Sequence, residues 1–553
     1  MVIDAAREVT GWAGVLARVA RQSELAGGLD PRGALVGARL LAKGQAGLAA
    51  VFRIRAVGER ERPAFVQGGR SMRWGEVDAR ADRLATGLRR KGVGRGDAVA
   101  LVLYNRPEFF EVEAALARLG ASGVSVSWRS TPAELAYLVE HSGAKAVFFE
   151  HDLAPAMRAL RERCPGLDPG RMFAVGGPAE GFARYADAIA ATSEGELESE
   201  DGAVVIYTSG TTGRPKGAVR RFGAGQVLGF AAFLERVPFK RGDRHLCVCP
   251  LYHSTALGFA GLALMVGSTI VIEREFEPRR FLETVERERI NSVAIVPTML
   301  HRLMALPDAV IRSYRLATLR AVVCVGAQLP APLCERALSL LGPVLYNVYG
   351  ATETGLVSVA TPDDLRALPG SIGRPLHGVS LRLLDESGHE VPRGEVGEVF
   401  VRSPMLVEGY HADDEATRAS MRDGHFSVGD LARVDAAGRY MIVGRRREMV
   451  ISGGVNIYPA EVEAVIDRHP AVAQSAVIGV ADPEWGERLR AFVVLRGATA
   501  GEPAAELRSW CRAELSGPKV PREWVFLDAL PANATGKVLK RELATWDGEV
   551  TRV

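Results

Sequence analysis

The feature that most restricts the fold is a regular alternation of helical and strand patterns along much of the chain. Between residues 63 and 150, helical periodicity at Trp74–Lys91, Glu108–Leu119 and Pro132–Ser142 alternates with the short apolar runs AVALVLY, GVSVSW and AKAVFFE. The alternation returns between residues 244 and 350 with HLCVC, TIVI, SVAIV and RAVVCVG. Strands separated by helices pair in parallel, so the pattern predicts an α/β protein with parallel sheets.

The pattern changes twice towards the C-terminal end. From residue 371 to 443, short strands between glycine turns predict a small β-rich subdomain. The charged run GRRRE then precedes a compact set of strand and helix patterns, which predicts a hinge and a small mobile α+β domain. The expected organisation is a helical extension at 1–60, a large domain of stacked α/β subdomains at 61–443, the hinge at 444–448 and the C-terminal domain at 449–553.

Composition excludes several classes of protein. A net charge of +3 over 553 residues gives no argument for a nucleic-acid partner. The six cysteines show no CxxC spacing, so neither a disulfide framework nor a zinc site is expected, and a cytoplasmic setting fits best. Of the 69 basic residues only eight are lysine, so a lysine inside a motif stands out from an arginine-rich background.

Two apolar segments bear on membrane contact. In the first sixty residues Trp12, Val15, Leu16 and Val19 recur at helical spacing, which predicts a helix packed on the large domain and leaves peripheral membrane contact as the alternative. Early acidic residues and interrupting arginines argue against a signal peptide. The uncharged run at 255–272 is long enough to span a bilayer, but its Gly-Ser-Thr interruption predicts a buried helix, a turn and a strand.

The stretch YTSGTTGRPKGAVRR, residues 207–221, has the composition of a phosphate-binding loop. Glycines let backbone amides approach phosphate oxygens closely, while hydroxyls and a lysine add donors and charge. It is not a Walker A loop, because Lys216 is followed by glycine and not by serine or threonine. The candidate phosphate-binding residues are Thr208, Ser209, Gly210, Thr211, Thr212, Gly213 and Lys216.

Four further segments carry chemistry of a related kind. YGATETG at 349–355 offers an aromatic ring for a base, a hydroxyl for a phosphate and a carboxylate for Mg²⁺. Asp430 and Arg445 lie fifteen residues apart, and a carboxylate is suited to a ribose diol because it accepts both hydroxyl protons. SGGVNIYPAEVE is a glycine turn that opens a helix, and ANATGKVLKREL places Lys537 on a Thr-Gly turn near the C-terminus.

In these motifs the chain resembles the adenylate-forming superfamily, which joins acyl-CoA synthetases, adenylation domains of peptide synthetases and firefly luciferase. YTSGTTGRPKG, YGATE, GD…GRRRE…SGGVNIYPAEVE and TGKVLK match its core motifs in order and spacing, over residues from about 60 to 545. The resemblance implies an AMP-forming acid–thiol ligase that uses ATP, Mg²⁺ and CoA. A carboxylate would attack the α-phosphorus of ATP with loss of pyrophosphate, and a thiol would then attack the acyl adenylate.

The resemblance also implies a role for each motif residue. The 208–217 loop would hold the β- and γ-phosphates, Thr352 would contact the α-phosphate and Glu353 would hold Mg²⁺. Lys537 would lie between the substrate carboxylate and the α-phosphate. The other implied ligand contacts are Gly326, Ala327, Gln328 and Tyr349 at the adenine, Asp430 and Arg445 at the ribose, and Gly453 and Gly454 along the thiol tunnel.

Two implied assignments concern the substrate and the hinge. His253 matches a position beside the acyl pocket, and Arg447 aligns with the hinge residue, with Glu448 as a rival. Phe259 and Met299 are typical of the small or apolar residues expected around the acyl group, among which no Asp or Arg stands out. This favours a fatty acid of medium or longer chain, and the long amphipathic N-terminal extension also resembles that of bacterial fatty-acid CoA ligases. An aromatic or branched acid, and a carrier protein in place of CoA, stay open as alternatives, and so does the choice between monomer and homodimer.

Overall fold

The structure is a computed structural model that describes residues 2–25, 30–45, 47–190, 192–193, 202–208, 216–221, 223–410, 413–452, 455–497, 502–533 and 537–553. Strands within these ranges form four sheets, three of them before residue 446 and one after residue 449. The predicted α/β class, with a large N-terminal part and a smaller C-terminal part, is confirmed.

The first sheet consists mainly of parallel strands, because its central strands are followed by helices that cross back over the sheet. Strands Leu345–Ala351 and Gly355–Ala360 are antiparallel, and the turn between them contains Thr352 and Glu353. In spatial order the strands are Arg374–Pro375, Gly355–Ala360, Leu345–Ala351, Ala321–Val325, Ser292–Ile295, Arg244–Cys247, Thr269–Ile272, Pro63–Gln67 and Arg70–Arg73.

The second sheet has a parallel centre and one antiparallel pair at the phosphate-loop segment. That pair is Ala203–Thr208 and Lys216–Arg221, so the sequence between them connects two neighbouring strands. In spatial order the strands are Gly409–Tyr410, Lys216–Arg221, Ala203–Thr208, Ser122–Ser125, Ala98–Val102, Ala144–Glu150, Met172–Val175 and Ala183–Arg184.

The two remaining sheets meet at a short 3₁₀ turn, Arg446–Glu448, inside the predicted hinge. The third sheet, which is antiparallel, is the β-rich subdomain that the glycine turns predict. Its strands are Ser380–Leu384, Gly397–Arg402, Met421–Arg422, His425–Phe426, Asp430–Val434 and Tyr440–Arg445. The strands of the fourth are Val450–Ser452, Val455–Ile457, Val472–Asp482, Gly486–Leu495, Glu523–Phe526 and Thr551–Arg552.

Helices surround these sheets and bury their apolar faces against them. The helices are Val2–Gln22, Pro31–Ala42, Leu48–Gly58, Trp74–Arg90, Pro107–Leu119, Pro132–Ser142, Ala154–Arg163, Tyr185–Ala188, Ala224–Leu234, Ser254–Val266, Pro278–Arg287, Pro297–Met304, Asp308–Arg312, Ala331–Leu341, Pro362–Ala367, Asp414–Ala419, Pro459–Ile466, Pro503–Glu514 and Lys540–Leu543.

The N-terminal extension packs on the large domain. Val15, Val19 and Phe52 are buried in the same core as the first two sheets, and Trp12 lies edge-on against His377 with ring centres 4.6 Å apart. Leu16 faces outward and is exposed. The helical spacing therefore predicted the buried positions Val15 and Val19 correctly, whereas Leu16 lies outside the buried face.

The apolar run at 255–272 folds as the sequence predicts. Helix Ser254–Val266 ends at Gly267, whose φ of +92° favours glycine, and strand Thr269–Ile272 follows. Within the described ranges, no helix combines the length and the apolar character needed to cross a membrane. All six cysteines are buried and carry free thiols.

Candidate active site

A cleft of about 1150 Å³ lies between the large domain and the C-terminal domain. Its lining combines residues from the turn at 352–353, from strands Asp430–Val434 and Tyr440–Arg445, and from the C-terminal segment 532–542. Motif residues that lie far apart in sequence therefore converge on one cavity. Of the residues predicted for the site, those in the lining are His253, Gly326, Ala327, Thr352, Glu353, Asp430, Arg445, Arg447 and Lys537.

Lys537 brings an ammonium group from the C-terminal domain into this cleft. Its backbone N–H donates to Asn533 Oδ1 at 2.9 Å, and the Asn533 N–H donates to the Lys537 carbonyl at 2.9 Å, so two hydrogen bonds join these two residues. Burial, and next the positive charge of Arg445, lower the pKa of Lys537 to about 8. No ion pair with a described carboxylate engages Lys537. Its charge is therefore available to an anionic ligand.

Asp430, Arg445 and Tyr349 form a connected polar group at the start of the third sheet. Arg445 Nε lies 2.9 Å from Asp430 Oδ1, and the Tyr349 hydroxyl donates to Asp430 Oδ2 at 2.8 Å. Asp430 and Arg445 are neighbours because their strands pair in antiparallel register at these two residues. The sequence separation of fifteen residues is thus the length of one hairpin.

The turn at 352–353 presents a hydroxyl and a carboxylate side by side. Thr352 Oγ1 lies 3.0 Å from Ser254 Oγ, and Glu353 is buried and accepts a hydrogen bond from the Tyr410 hydroxyl at 3.0 Å. A buried carboxylate whose hydrogen-bond partner is a neutral hydroxyl is suited to a hard divalent cation. The donor set therefore fits Mg²⁺, with Glu353 as the candidate ligand.

Arg220 lies in the same cleft and was not among the predicted site residues. Its guanidinium donates to the carbonyl of Met405 at 2.8 Å and to the carbonyl of Thr352. Burial lowers its pKa to about 10, so the group stays charged at neutral pH.

His253 stands at the N-terminal end of helix Ser254–Val266. Its ring centre lies 4.5 Å from that of Tyr252, and its shielded Nε2 has no hydrogen-bond partner among the described residues. Burial lowers the pKa of His253 to about 4, so the imidazole is neutral. The structure places it against the cleft as predicted, as an uncharged ring.

The predicted adenine residues divide between two places. Gly326, with a φ of +93°, and Ala327 follow strand Ala321–Val325 and line the cleft. Gln328 instead donates from Nε2 to the carbonyl of Ile442 at 3.3 Å and is not part of the lining. Tyr349 is also outside the lining, because its hydroxyl is held by Asp430.

The residues of the 3₁₀ turn in the predicted hinge are charged. Arg447 is exposed and lines the cleft, while Arg446 Nη1 pairs with Glu398 at 3.1 Å. Lys540 Nζ lies 2.7 Å from Glu463 and 3.5 Å from Glu448, which joins the hinge to the C-terminal domain.

Part of the predicted site lies outside the residues that the structure describes. Nothing is described of the Thr208 and Lys216 side chains, and the segment 209–215 and residues 453–454 are likewise outside the described residues. These predictions cover the phosphate loop, with Ser209, Gly210, Thr211, Thr212 and Gly213, and the thiol tunnel, with Gly453 and Gly454.

The sequence profile of the AMP-binding enzyme family matches residues 52–411, and that of the AMP-binding enzyme C-terminal domain matches residues 461–537. The first match alone covers more than half of the chain. The chain therefore belongs to the AMP-binding enzyme family and is an AMP-forming acid–thiol ligase.

Three relatives show the kinds of ligase to which this chain is similar. It is 37% identical to a feruloyl-CoA synthase of an Amycolatopsis species over 87% of this chain and 95% of the relative. It is 31% identical to the fatty acid–[acyl-carrier-protein] ligase ScoC of Streptomyces coeruleorubidus over 87% and 92%. The o-succinylbenzoate CoA synthetase of Bacillus subtilis, solved with its acyl-adenylate intermediate, superposes with a TM-score of 0.79 at 27% identity, covering 92% of this chain and 99% of that one.

Proposed function

We propose that the protein activates an aromatic carboxylic acid with ATP and transfers the acyl group to CoA, releasing pyrophosphate and AMP. The observation that carries this proposal is the presence of Lys537, from the C-terminal domain, in one cleft with Thr352, Glu353, Asp430 and Arg445. The two reactants, a carboxylate and ATP, are both anions. A cavity that holds a cation, a candidate metal-binding carboxylate and a candidate ribose-binding carboxylate can bring them together.

In the first half-reaction the substrate carboxylate attacks the α-phosphorus and pyrophosphate leaves. The Lys537 ammonium would stabilise the charge that develops between the carboxylate and the α-phosphate, and the Thr352 hydroxyl would donate to the α-phosphate. Asp430 would exchange its hydrogen bond with Tyr349 for the ribose hydroxyls, and the freed ring would stack on the adenine. Bound Mg²⁺, for which Glu353 is the candidate ligand, would offset the negative charge of the phosphates.

In the second half-reaction a thiol attacks the acyl carbon and AMP leaves. Lys537 lines the cleft and would lie beside the reacting carbon, so the C-terminal domain would have to turn before a thiol could approach. The 3₁₀ turn Arg446–Glu448, with Arg447 as the proposed pivot, lies between the two sheets that would move apart. Lys540 pairs with both Glu448 and Glu463, so it would keep the hinge attached to the domain that turns.

The choice of an aromatic acid replaces the fatty acid that the apolar pocket suggested. Two of the three relatives above carry names of ligases for aromatic acids, feruloyl and o-succinylbenzoate. The acyl end of the cleft is lined by Phe230, Leu257, Phe259 and Val296, which suit the faces of an aromatic ring as well as an alkyl chain. The similarity to ScoC supports a carrier protein as the second candidate acceptor.

A pyrophosphate-release screen over aromatic, fatty and amino acids, with and without CoA, tests the proposal. We expect pyrophosphate with aromatic acids and a thioester product when CoA is added. Absence of pyrophosphate with every acid contradicts adenylation. Faster turnover of a fatty acid contradicts the aromatic substrate, and an adenylate that never passes to CoA favours the carrier protein.

A further inference from the structure

A second, smaller cavity of about 50 Å³ lies behind the acyl end of the cleft. The two cavities share Val204, Phe230 and Leu257 as a common wall. Leu48 and Val51 of the N-terminal extension also line the small cavity. A volume of this size accepts a small chemical group, since a single water needs roughly 10–15 Å³ in such a measure.

One polar side chain, that of Glu113, lies among the otherwise apolar described residues that line this cavity. Glu113 is on helix Pro107–Leu119 and is 6% exposed. Its Oε1 is shielded from solvent, and among the described residues the carboxyl has neither a hydrogen-bond partner at Oε1 nor an ion pair. An unpartnered buried carboxyl is costly, because it has lost its hydration without gaining a partner.

The backbone opposite Glu113 leaves room for this carboxyl. A Cβ at Gly123, on strand Ser122–Ser125, would lie 2.4 Å from Glu113 Oε1. Any larger residue at position 123 would push the carboxyl out of its place. Glycine therefore permits a polar group at a point where the fold gives it no protein partner.

Glu113 carries a proton at neutral pH. Burial alone raises its pKa to about 8, and the group is then an uncharged acid with one donor and a free acceptor oxygen. Such a group can accept from and donate to a hydroxyl at the same time. An ammonium group would need an ionised carboxylate in an apolar enclosure, which desolvation opposes.

We infer that Glu113 recognises a hydroxyl group at the distal end of an aromatic substrate, and that it makes the enzyme prefer hydroxylated aromatic acids to their unhydroxylated analogues. Phe230 and Leu257 line both cavities, so a substrate ring that displaces these two side chains would bring its hydroxyl into the small cavity. This inference rests on the proposed function, because only an acyl group in the cleft reaches that wall. Glu113 is then a specificity-determining residue at the end of the cleft opposite to the reaction.

The test compares 4-hydroxycinnamate with cinnamate, which differ by one hydroxyl, in a pyrophosphate-release assay of the full chain at saturating ATP and CoA. The wild type is expected to favour the hydroxylated acid in kcat/KM by about 10- to 100-fold, since the unhydroxylated ring leaves Glu113 unpaired. Glu113→Leu should bring the ratio of the two kcat/KM values close to one. Glu113→Gln keeps a donor and an acceptor and should retain a preference in the same direction.

Glu76→Leu, at an exposed position on helix Trp74–Arg90, is the matched control and should leave the ratio at the wild-type value. Glu113→Met, an unbranched apolar chain, replaces the leucine variant if that variant does not fold. A wild-type ratio near one, or a ratio unchanged in Glu113→Leu, overturns the inference and makes Glu113 a structural group in a water-filled cavity. Failure of the proposed function looks different, because neither aromatic acid would then release pyrophosphate.

Discussion

The two ends of the cleft are built in opposite ways. The reaction end gathers charged side chains, Lys537, Asp430 and Arg445, from two separate sequence motifs and holds them with hydrogen bonds and an ion pair. The acyl end is apolar and is followed by a small cavity with one uncharged carboxyl, Glu113, from a helix outside every motif. The difference indicates that chemistry and substrate choice are controlled by groups that can be changed independently.

The largest expected effect is at the reaction end. Lys537→Ala should lower the rate of adenylate formation by about 10²- to 10³-fold, because it removes a charge that acts on the developing transition state. Transfer to CoA from a supplied acyl adenylate should be retained, since Lys537 is proposed to leave the cleft for that step. The measurement is a pair of assays, pyrophosphate release and thioester formation.

Lys519→Ala is the control for this variant, because Lys519 is a lysine of the same domain that pairs with Glu461 outside the cleft. It should leave both half-reactions near the wild-type rate. An equal loss of both half-reactions in Lys537→Ala would contradict the two-conformation account.

A smaller effect is expected at the ribose-binding carboxylate. Asp430→Asn removes the charge that pairs with Arg445, and it should raise the KM for ATP by roughly 10- to 100-fold, the range typical of a hydrogen bond to a charged group. Asp435→Asn lies on the same hairpin, where Asp435 pairs with Arg439, and serves as control. If both variants raised the KM for ATP alike, the ribose assignment of Asp430 would be wrong.

The reaction end could be predicted from sequence because its chemistry constrains residue type within short segments. The positions of Thr352, Glu353 and Lys537 in one cleft agree with that prediction. Arg220 and Tyr410 were missed, because their contacts with the turn at 352–353 depend on tertiary packing between strands distant in sequence.

The acyl end was predicted less well, for a physical reason. Helical spacing from Phe110 to Ala117 places Glu113 on the buried face of its helix. The sequence alone therefore indicates a polar residue at a position where an apolar one is expected. The cavity itself could not be predicted from the sequence. Its lining comes from five helices and strands, and the packing of these elements determines the volume that stays empty. The same limit explains the prediction of a fatty acid, which rested on the residue types expected around the acyl group and on the likeness of the N-terminal extension to that of bacterial fatty-acid CoA ligases.

A separate effect, on stability and not on activity, is expected from the pH dependence of Glu113. Its folded pKa of about 8 lies above the ordinary value of 4.5, so between these values unfolding releases a proton. Wild-type stability should therefore fall relative to that of Glu113→Gln as pH rises from about 5 to 8, by an amount on the order of a few kcal/mol, and level off above 8. Denaturant unfolding of both proteins across this range measures the difference. A difference that does not vary with pH would contradict a protonated Glu113.

The central claim, that chemistry and substrate choice are controlled separately, is tested most directly by the ratio of kcat/KM for 4-hydroxycinnamate to kcat/KM for cinnamate in two variants. In Lys537→Ala both values should fall by the same factor, so the ratio should stay at the wild-type value. In Glu113→Leu the ratio should approach one. A ratio that changes in Lys537→Ala, or that keeps its wild-type value in Glu113→Leu, would contradict the separation of the two ends.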